Sequence, residues 1–281
     1  MVHFDLDEFI LMAITEDVGD GDHTSLSTIP AEAQGRAKLL VKDTGVIAGI
    51  DIAKRVFELV DENLTFDQIL IDGDQVKHGD IAFYVSGPAQ SIVTAERLAL
   101  NIMQRMSGIA TQTNKITKMM EGTKCRLLDT RKTTPGFRFF EKLAVKIGGG
   151  VNHRFGLYDM ILVKDNHVDY AGGVHNALHQ IKNYLEKNER HLKIEVEARS
   201  MKEVEEILQE GIAFRILLDN FQPAQLKEAV AFIDGRVETE ASGGITEENV
   251  RDYALCGVDY ISMGALTHHV KSLDLSLKAV Q

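Results

Sequence analysis

The sequence predicts an α/β protein in which an α+β N-terminal domain precedes a compact α/β barrel. Residues 35–93 alternate apolar and polar side chains between glycine-rich turns, which is typical of half-buried antiparallel strands. From Cys125 onward, short apolar runs alternate with helical segments, and repeated βα units indicate a parallel sheet. The chain after Cys125 holds six or seven such units, so we expect a barrel smaller than the eight-unit form.

The predicted N-terminal domain begins with a helix over residues 5–18, where apolar side chains recur on one face. The glycines and aspartates of DVGDGDHTS then end this helix. One further helix, DIAKRVFELVDE, lies between the strands of 35–93, and a long helix is expected from about Ala95. We place the domain boundary near residue 107, which gives a first domain of residues 1–107.

The predicted barrel, residues 108–268, contains apolar runs that each end in polar residues. These runs are CRLLDTRK, DMILVKDN, KIEVEA, FRILLDNF, VETEASGG and DYISMGAL. Segments with helical periodicity, such as SMKEVEEILQEG, separate them. The C-terminal tail, residues 269–281, is a candidate to return to the first domain.

Composition and charge limit the classes of function. The 281-residue chain has a formal charge of −11, which argues against a general nucleic-acid binder because phosphate affinity requires a basic surface. Cys125 and Cys256 lack metal-ligand spacing, so we expect buried, reduced thiols. The sequence shows no secretory signal and no apolar run that could span a bilayer. We therefore predict a cytoplasmic protein that binds neither nucleic acid nor membrane.

The ends of the predicted strands are the expected place for chemistry, because α/β barrels carry their active sites at the carboxyl ends of the strands. Each run here ends in polar or small residues. They are Asp129, Thr130, Arg131, Lys132, Lys164, Asp165, Asn166, Glu195, Glu197, Asp219, Asn220, Ser242, Gly243, Gly244, Gly264 and Ala265. The glycine-rich ASGG and SMGA, the latter containing Met263, follow the last two strands. Such loops bind phosphate, and we expect each to open a helix toward the anion.

Two acidic residues, Glu197 and Asp219, would stand on neighbouring strands of the barrel. Carboxylates facing a phosphate site either hold Mg²⁺, directly or through water, or stabilise a developing positive charge. Glu195 points the same way as Glu197, since the two lie two residues apart on a strand. We choose Glu197 because it is nearer to the strand end.

The segment from Arg131 to Lys164 concentrates cations, with seven Lys or Arg residues against two acidic ones. We divide it into two groups. Arg138, Lys142 and Lys146 lie on a predicted helix and are interpreted as a solvated face. The convergent group consists of Arg131, Lys132, His153, Arg154 and Lys164. Because arginine grips carboxylate or phosphate with two parallel hydrogen bonds, this group predicts a small ligand with several negative charges.

At this point long motifs carry a resemblance that covers nearly the whole chain. They are AERLALNIMQRMSGIAT, DTRKTTPGFRFFEKLAVKIGGGVNHRFGLYDMILVKDNH, IEVEA, LLDNF, ETEASGGI and DYISMGALTH. The sequence closely resembles the quinolinate phosphoribosyltransferase (carboxylating nicotinate-nucleotide pyrophosphorylase) family. The resemblance implies an N-terminal α/β sandwich and an open α/β barrel. It also implies condensation of quinolinate with 5-phosphoribosyl 1-pyrophosphate to nicotinate mononucleotide for NAD synthesis, with release of pyrophosphate and CO₂.

The resemblance also implies roles for individual residues. Arg131, His153, Arg154 and Lys164 would surround the two carboxylates of quinolinate, and Arg97 would reach in from the partner subunit of a homodimer. Lys132, Glu197 and Asp219 would act on the phosphoribosyl pyrophosphate and its Mg²⁺ as the catalytic group. The 5-phosphate would lie on Ser242, Gly243, Gly244, Gly264 and Ala265, and Thr130 and Met263 complete the predicted substrate-binding set.

Other functions remain open from the sequence. A ModD-like paralogue of the same fold shares parts of the signature, whereas a nicotinate phosphoribosyltransferase binds one carboxylate and needs fewer cations. A non-catalytic sensor of phosphosugars or dicarboxylates would keep the basic pocket. It would not need Glu197, Asp219 and both glycine-rich loops together.

Overall fold

A computed structural model describes residues 4–280 of the chain. The helices are α1 (Leu6–Val18), α2 (His23–Thr28), α3 (Ile50–Val60), α4 (Ala89–Met119), α5 (Arg138–Ile147), α6 (Asp165–Ala171), α7 (Val174–Lys187), α8 (Met201–Glu210), α9 (Pro223–Ile233), α10 (Val250–Ala254) and α11 (Ala265–His268). The strands are β1 (Gln34–Val41), β2 (Gly45–Val46), β3 (Thr65–Gln68), β4 (Gln75–Val76), β5 (Ile81–Pro88), β6 (Arg126–Leu128), β7 (Ile161–Val163), β8 (Ile194–Ala198), β9 (Arg215–Asp219), β10 (Glu238–Ser242), β11 (Tyr260–Ser262) and β12 (Leu275–Ala279). This mixed α/β architecture confirms the predicted fold class.

The chain forms two compact units. The first comprises the residues up to Asn114, the segment Thr134–Gly149 and the C-terminal segment from His269; the second comprises Lys115–Thr133 and Gly150–His268. This division differs from the predicted domains, because 108–114 and 134–149 cluster with the N-terminal residues rather than with the barrel. The C-terminal segment also belongs to the first unit.

An antiparallel sheet in the order β12-β1-β5-β3 organises the first unit. Along its inner strand β1, buried and less buried residues alternate, and Leu39 and Val41 lie on the buried face. The period-two pattern of the sequence therefore causes this packing. Leu277 and Leu275 of β12 lie opposite these two residues. Gly108 lets the chain before β12 approach closely, because a Cβ there would lie 2.4 Å from the carbonyl oxygen of Lys271.

Six parallel strands in the order β6-β11-β10-β9-β8-β7 form the sheet of the second unit. The strands coincide with the predicted apolar runs, and β8 is buried along its whole length, as expected when helices cover a parallel sheet. Between residues 4 and 280, β6 and β7 form the two edges of this sheet. A single bridge joins Leu128 of β6 to Val151 and adds a short parallel pairing at one edge.

Three details of the local prediction were wrong. The long helix α4 begins at Ala89, directly after Pro88 ends β5, and not near Ala95. The segment DVGDGDHTS was expected to end the first helix in a turn, but its last residues begin the short helix α2. Asp22 caps this helix by accepting a hydrogen bond from the Ser25 N–H at 3.0 Å. The predicted solvated face of α5 is also incorrect: Lys142 is only 3% exposed, Arg138 is half-buried, and Lys146 is exposed.

A buried carboxylate links α5 to α4 within the first unit. Glu141 is 0% exposed, and it accepts hydrogen bonds from Arg105 Nη2 at 2.8 Å, the Thr134 hydroxyl at 2.8 Å and the Thr134 N–H at 3.1 Å. These bonds compensate the cost of burying its charge.

Replacing Glu141 with alanine should therefore destabilise the fold. Removing one partner of a buried ion pair costs several kcal/mol, and we expect about 3 kcal/mol because Arg105 keeps some solvent contact. Urea denaturation followed by circular dichroism measures the change. Glu206→Ala is the matched control, since its pair with Lys202 is exposed and contributes about 0.5 kcal/mol or less. Equal stability of the two variants would contradict this prediction.

Candidate active site

A cavity of about 730 Å³ lies at the carboxyl ends of the parallel strands in the second unit. It brings together every predicted site residue of this unit. They are Thr130, Arg131, Lys132, His153, Arg154, Lys164, Glu197, Asp219, Ser242, Gly243, Gly244, Met263, Gly264 and Ala265. Arg97 is not among the lining residues; it is exposed on α4 in the first unit.

The cavity also contains residues that the sequence analysis did not assign to the ligand site. They are Leu162, Leu217, Glu240, Ile245, Ser262 and His268. Asp165 and Asn220, which the sequence analysis predicted only as strand-end residues, also line it. The period-two rule could have identified Leu217 and Glu240, since each lies two residues before a predicted site residue on the same strand. His268, in contrast, is exposed at the end of α11, and its position depends on how the chain turns after Gly264.

Asp129, at the end of β6, holds the loop that carries two of the cations. Its side chain is fully buried and accepts hydrogen bonds from the His153 N–H at 2.9 Å and from Asn152 Nδ2 at 2.5 Å. The Asp129 N–H donates to Val151 O at 3.2 Å. These bonds fix residues 151–153 against the strand end, so His153 and Arg154 reach the cavity from a loop with a defined course.

Two cations of the cavity, Arg131 and Arg154, lie close enough for their charges to interact. Burial lowers the pKa of Arg154, and the neighbouring charge of Arg131 lowers it further. The guanidinium of Arg154 is anchored by a hydrogen bond from Nη1 to Met160 O at 3.1 Å. Like charges in proximity, partly shielded from water, favour the binding of an anion between them.

The acids Glu197 and Asp219 line the same cavity. Burial raises the pKa of Glu197, and the charge of Asp219 raises it further, while Lys164 opposes the shift. Burial likewise raises the pKa of Asp219, whose Oδ2 accepts a hydrogen bond from Asn220 Nδ2 at 2.6 Å. Two carboxylates that repel each other at the edge of a polar cavity are suitable oxygen ligands for a divalent cation. The residues present therefore fit the predicted Mg²⁺.

Two glycines permit close approaches at the ends of β10 and β11. Gly243 has φ +91°, and a Cβ there would lie 2.2 Å from Asn220 Oδ1. A Cβ on Gly264 would lie 2.8 Å from Lys132 Cδ. The expectation that both loops open directly into helices was wrong for the first of them, because α10 begins only at Val250. Thus the backbone of 242–244, rather than a helix end, lines this part of the cavity.

The floor of the cavity is a buried group of charged side chains. His153 Nδ1 accepts the Arg154 N–H at 2.7 Å, which leaves the ring proton on Nε2, 3.0 Å from Glu195 Oε2. Glu240 Oε2 lies 3.6 Å from the same nitrogen and accepts a hydrogen bond from Arg215 Nη1 at 3.1 Å. Ligand atoms of His153, Glu195 and Glu240 lie within 4.8 Å of one another, as in a metal site. Arg215 already supplies positive charge there, so we assign no metal to this group.

A further cavity of about 710 Å³ lies in the second unit near the amino end of β8, where Ile194 lines it. The polar strand ends lie at the opposite end of the sheet. We therefore assign the ligand site to the cavity that contains Arg131, Glu197 and Asp219.

The two halves of the chain match two parts of one known family. Residues 22–107 match the quinolinate phosphoribosyl transferase N-terminal domain, and residues 109–278 match its C-terminal domain. The chain belongs to the quinolinate phosphoribosyltransferase family. This confirms the resemblance that the sequence motifs carry.

Individual relatives agree with the quinolinate phosphoribosyltransferase assignment. The chain is 46% identical over 290 residues to quinolinate phosphoribosyltransferase (decarboxylating) 1b of Nicotiana tabacum, covering 98% of this chain and 82% of that protein. It is 40% identical to a probable nicotinate-nucleotide pyrophosphorylase (carboxylating) of Bacillus subtilis, covering 99% and 94% of the two chains. The crystal structure of NadC from Streptococcus pyogenes aligns over the full length of both chains with a TM-score of 0.93 and 36% identity.

Within residues 4–280, the helices are too short or too polar to cross a bilayer.

Proposed function

We infer that this chain condenses quinolinate with 5-phosphoribosyl 1-pyrophosphate, releases pyrophosphate and CO₂, and gives nicotinate mononucleotide for de novo NAD synthesis. One observation carries the inference: a single cavity holds a cationic group, a pair of acids and two glycine-rich strand ends. The cations suit a dicarboxylate, the glycine-rich ends suit a phosphate, and the acids suit a Mg²⁺-bound pyrophosphate.

Quinolinate is assigned to the side of the cavity that contains Arg131, His153, Arg154 and Lys164. Arg131 is close enough for its charge to lower the pKa of Arg154, and two bound carboxylates would relieve this repulsion. The imidazole of His153 has both nitrogens directed at protein groups, Arg154 and Glu195. Its proposed contribution is therefore to shape the pocket and hold Arg154, while the cations bind the carboxylates.

The phosphoribosyl pyrophosphate is assigned to the opposite strand ends. Ser242, Gly243, Gly244, Gly264 and Ala265 would hold the 5-phosphate, with Thr130 and Met263 beside them. Lys132 lies close to this site, since its backbone carbonyl accepts a hydrogen bond from the buried Thr267 hydroxyl at 2.7 Å and its side chain packs over Gly264. Mg²⁺ on Glu197 and Asp219, directly or through water, would neutralise charge on the departing pyrophosphate.

The proposed reaction requires no nucleophilic side chain. Departure of pyrophosphate leaves an oxocarbenium-like ribose, which the pyridine nitrogen of quinolinate attacks. Glu197 and Asp219 stabilise the positive charge on the ribose, and Lys132 stabilises the negative charge on the leaving group. The bond between the ring and the carboxylate beside the nitrogen then breaks, and the quaternised ring keeps its electron pair while CO₂ leaves. That carbon then takes a proton from water to give nicotinate mononucleotide. The pocket contributes mainly by holding the nitrogen against the ribose carbon.

The complete enzyme is proposed to be a homodimer in which Arg97 completes the site of the partner subunit. Arg97 is an exposed cation on α4, and it does not line the cavity of the second unit.

A cytoplasmic location stays a prediction, since relatives from Nicotiana glauca and Arabidopsis thaliana carry mitochondrial and chloroplastic names.

The function is tested by incubating the protein with quinolinate, 5-phosphoribosyl 1-pyrophosphate and Mg²⁺. We expect equal amounts of CO₂ and pyrophosphate, and no CO₂ when nicotinate replaces quinolinate, because nicotinate lacks the second carboxylate. Release of pyrophosphate with nicotinate as the acceptor, but not with quinolinate, would indicate a nicotinate phosphoribosyltransferase. Calorimetric binding of quinolinate without either product would indicate a sensor.

The cationic side of the cavity is tested with Arg131→Ala and Lys164→Ala. Each variant should lose about 100-fold in kcat/KM for quinolinate, since a charge-assisted contact to a carboxylate is removed. The fold, followed by circular dichroism, should survive. Lys146→Ala is the matched control, because this lysine belongs to the same basic segment but is exposed on α5. Wild-type kinetics in either cavity variant would overturn the assignment.

The role of Arg97 is tested by mixing two inactive variants, Arg97→Ala and Lys164→Ala, under conditions of subunit exchange. If Arg97 serves the partner's site, a hybrid dimer contains one intact site, and an equal mixture should recover about a quarter of the wild-type activity. If Arg97 acts within its own chain, no hybrid contains an intact site and no activity returns.

A further inference from the structure

Asn220 lines the cavity directly after β9, and its backbone is left-handed, with φ +58°. Among residues 4–280, two other non-glycine residues have a positive φ, Glu189 and Asp234. These two lie at the C-terminal ends of α7 and α9, where left-handed residues are common. Asn220 follows a strand and no helix, so its conformation requires a different explanation.

The neighbouring strand β10 and the residue after it hold Asn220 in this conformation. The Asn220 N–H donates to Ser242 O at 2.8 Å. The side chain lies against Gly243, where an added Cβ would be 2.2 Å from Asn220 Oδ1. Asparagine adopts the left-handed region more readily than most residues. The side-chain amide of Asn220 therefore has a defined position beside the cavity.

The amide of Asn220 is directed at Asp219, one of the two acids of the cavity. Asn220 Nδ2 donates to Asp219 Oδ2 at 2.6 Å. Within the described residues, 4–280, this is the only hydrogen bond of the Asp219 side chain. The protein thus holds Oδ2 and leaves Oδ1 to a ligand.

We propose that Asn220 is a positioning residue that orients the Asp219 carboxylate toward the phosphoribosyl pyrophosphate and its Mg²⁺. This assignment rests on the proposed function. A carboxylate held at Oδ2 presents Oδ1 in one direction and needs no reorientation when the ligand binds. Without the amide, the carboxylate is free to rotate toward Lys164 or Lys132, whose charges attract it.

The second acid of the cavity is held in a different way. Glu197 accepts a hydrogen bond from the backbone N–H of Asp165. A substitution cannot remove a backbone donor without changing the chain itself, whereas it can remove the amide of Asn220. The orientation of the acid pair is therefore testable at Asn220.

The test variant is Asn220→Gly in the full-length protein. It removes the amide but keeps the left-handed backbone, which glycine adopts without strain. Loss of a group that orients a metal-binding side chain costs about 10- to 100-fold in affinity or activity. We expect kcat/KM for 5-phosphoribosyl 1-pyrophosphate to fall by this factor. The Kd of Mg²⁺-pyrophosphate, measured by calorimetry, should rise by the same factor.

Binding of quinolinate without Mg²⁺ separates positioning from a general structural defect. Its calorimetric Kd should not change in Asn220→Gly, because the cations assigned to quinolinate are unaltered. The matched control is Asp234→Gly, since Asp234 is exposed, has φ +49° and does not line the cavity. The control should behave as the wild type in all three measurements. A wild-type Kd of Mg²⁺-pyrophosphate in Asn220→Gly, or an equal loss of quinolinate binding, would overturn the proposal.

A double-mutant cycle tests whether Asn220 acts through Asp219. In the Asp219→Ala background, Asn220→Gly should have little further effect on kcat/KM for 5-phosphoribosyl 1-pyrophosphate, because no carboxylate remains to be oriented. Release of labelled CO₂ from quinolinate measures the activity. The same fold-loss in both backgrounds would show that Asn220 acts independently of Asp219, and would overturn the proposal. Failure of the wild type to release CO₂ would instead overturn the proposed function.

Discussion

The cavity depends on one constraint, the parallel register of the six strands in the second unit. In this register Glu197 lies opposite Leu217, and Asp219 lies opposite Ser242. The Asn220 N–H extends the β9–β10 ladder by donating to Ser242 O at 2.8 Å. A slip of one residue would turn each of these side chains to the opposite face of the sheet, because the side-chain period of a strand is two. The register of the sheet therefore determines whether the acids, cations and glycines meet in one cavity.

The free protein holds like charges together on both sides of the cavity. Arg131 disfavours the charge of Arg154, and Asp219 disfavours that of Glu197. Such crowding is stable only because the rest of the fold fixes it, as Asp129 does for the loop of His153 and Arg154. Ligands of opposite charge then relieve repulsion as they bind, and the groups that meet them need no reorganisation. An acidic protein can in this way present a cationic pocket without a basic surface.

Much of this arrangement could be predicted from sequence, because the strand ends are local features. Every apolar run became a strand, and most of the polar residues that ended the runs line the cavity, although Asp129, Asn166 and Glu195 do not. How deeply each side chain is buried was harder to predict from the sequence. Glu195 and Glu240 share faces with Glu197 and Ser242, but only the packed barrel shows that they lie at its floor against Arg215. The prediction for Lys142 was wrong for the same reason: helical periodicity grouped it with exposed cations, whereas the folded chain buries it.

The pairing of β12 with β1 joins Ala279 to Ala37, which lie far apart in the sequence. The ribosome synthesises β1 long before it synthesises β12. During that time β1 has an unpaired edge and its apolar face is incompletely covered. Closing so long a loop is slow, and unpaired edges are prone to aggregation. The nascent first unit is therefore vulnerable to aggregation until β12 has been synthesised and has paired with β1. Removal of β12 would leave that edge of β1 open permanently.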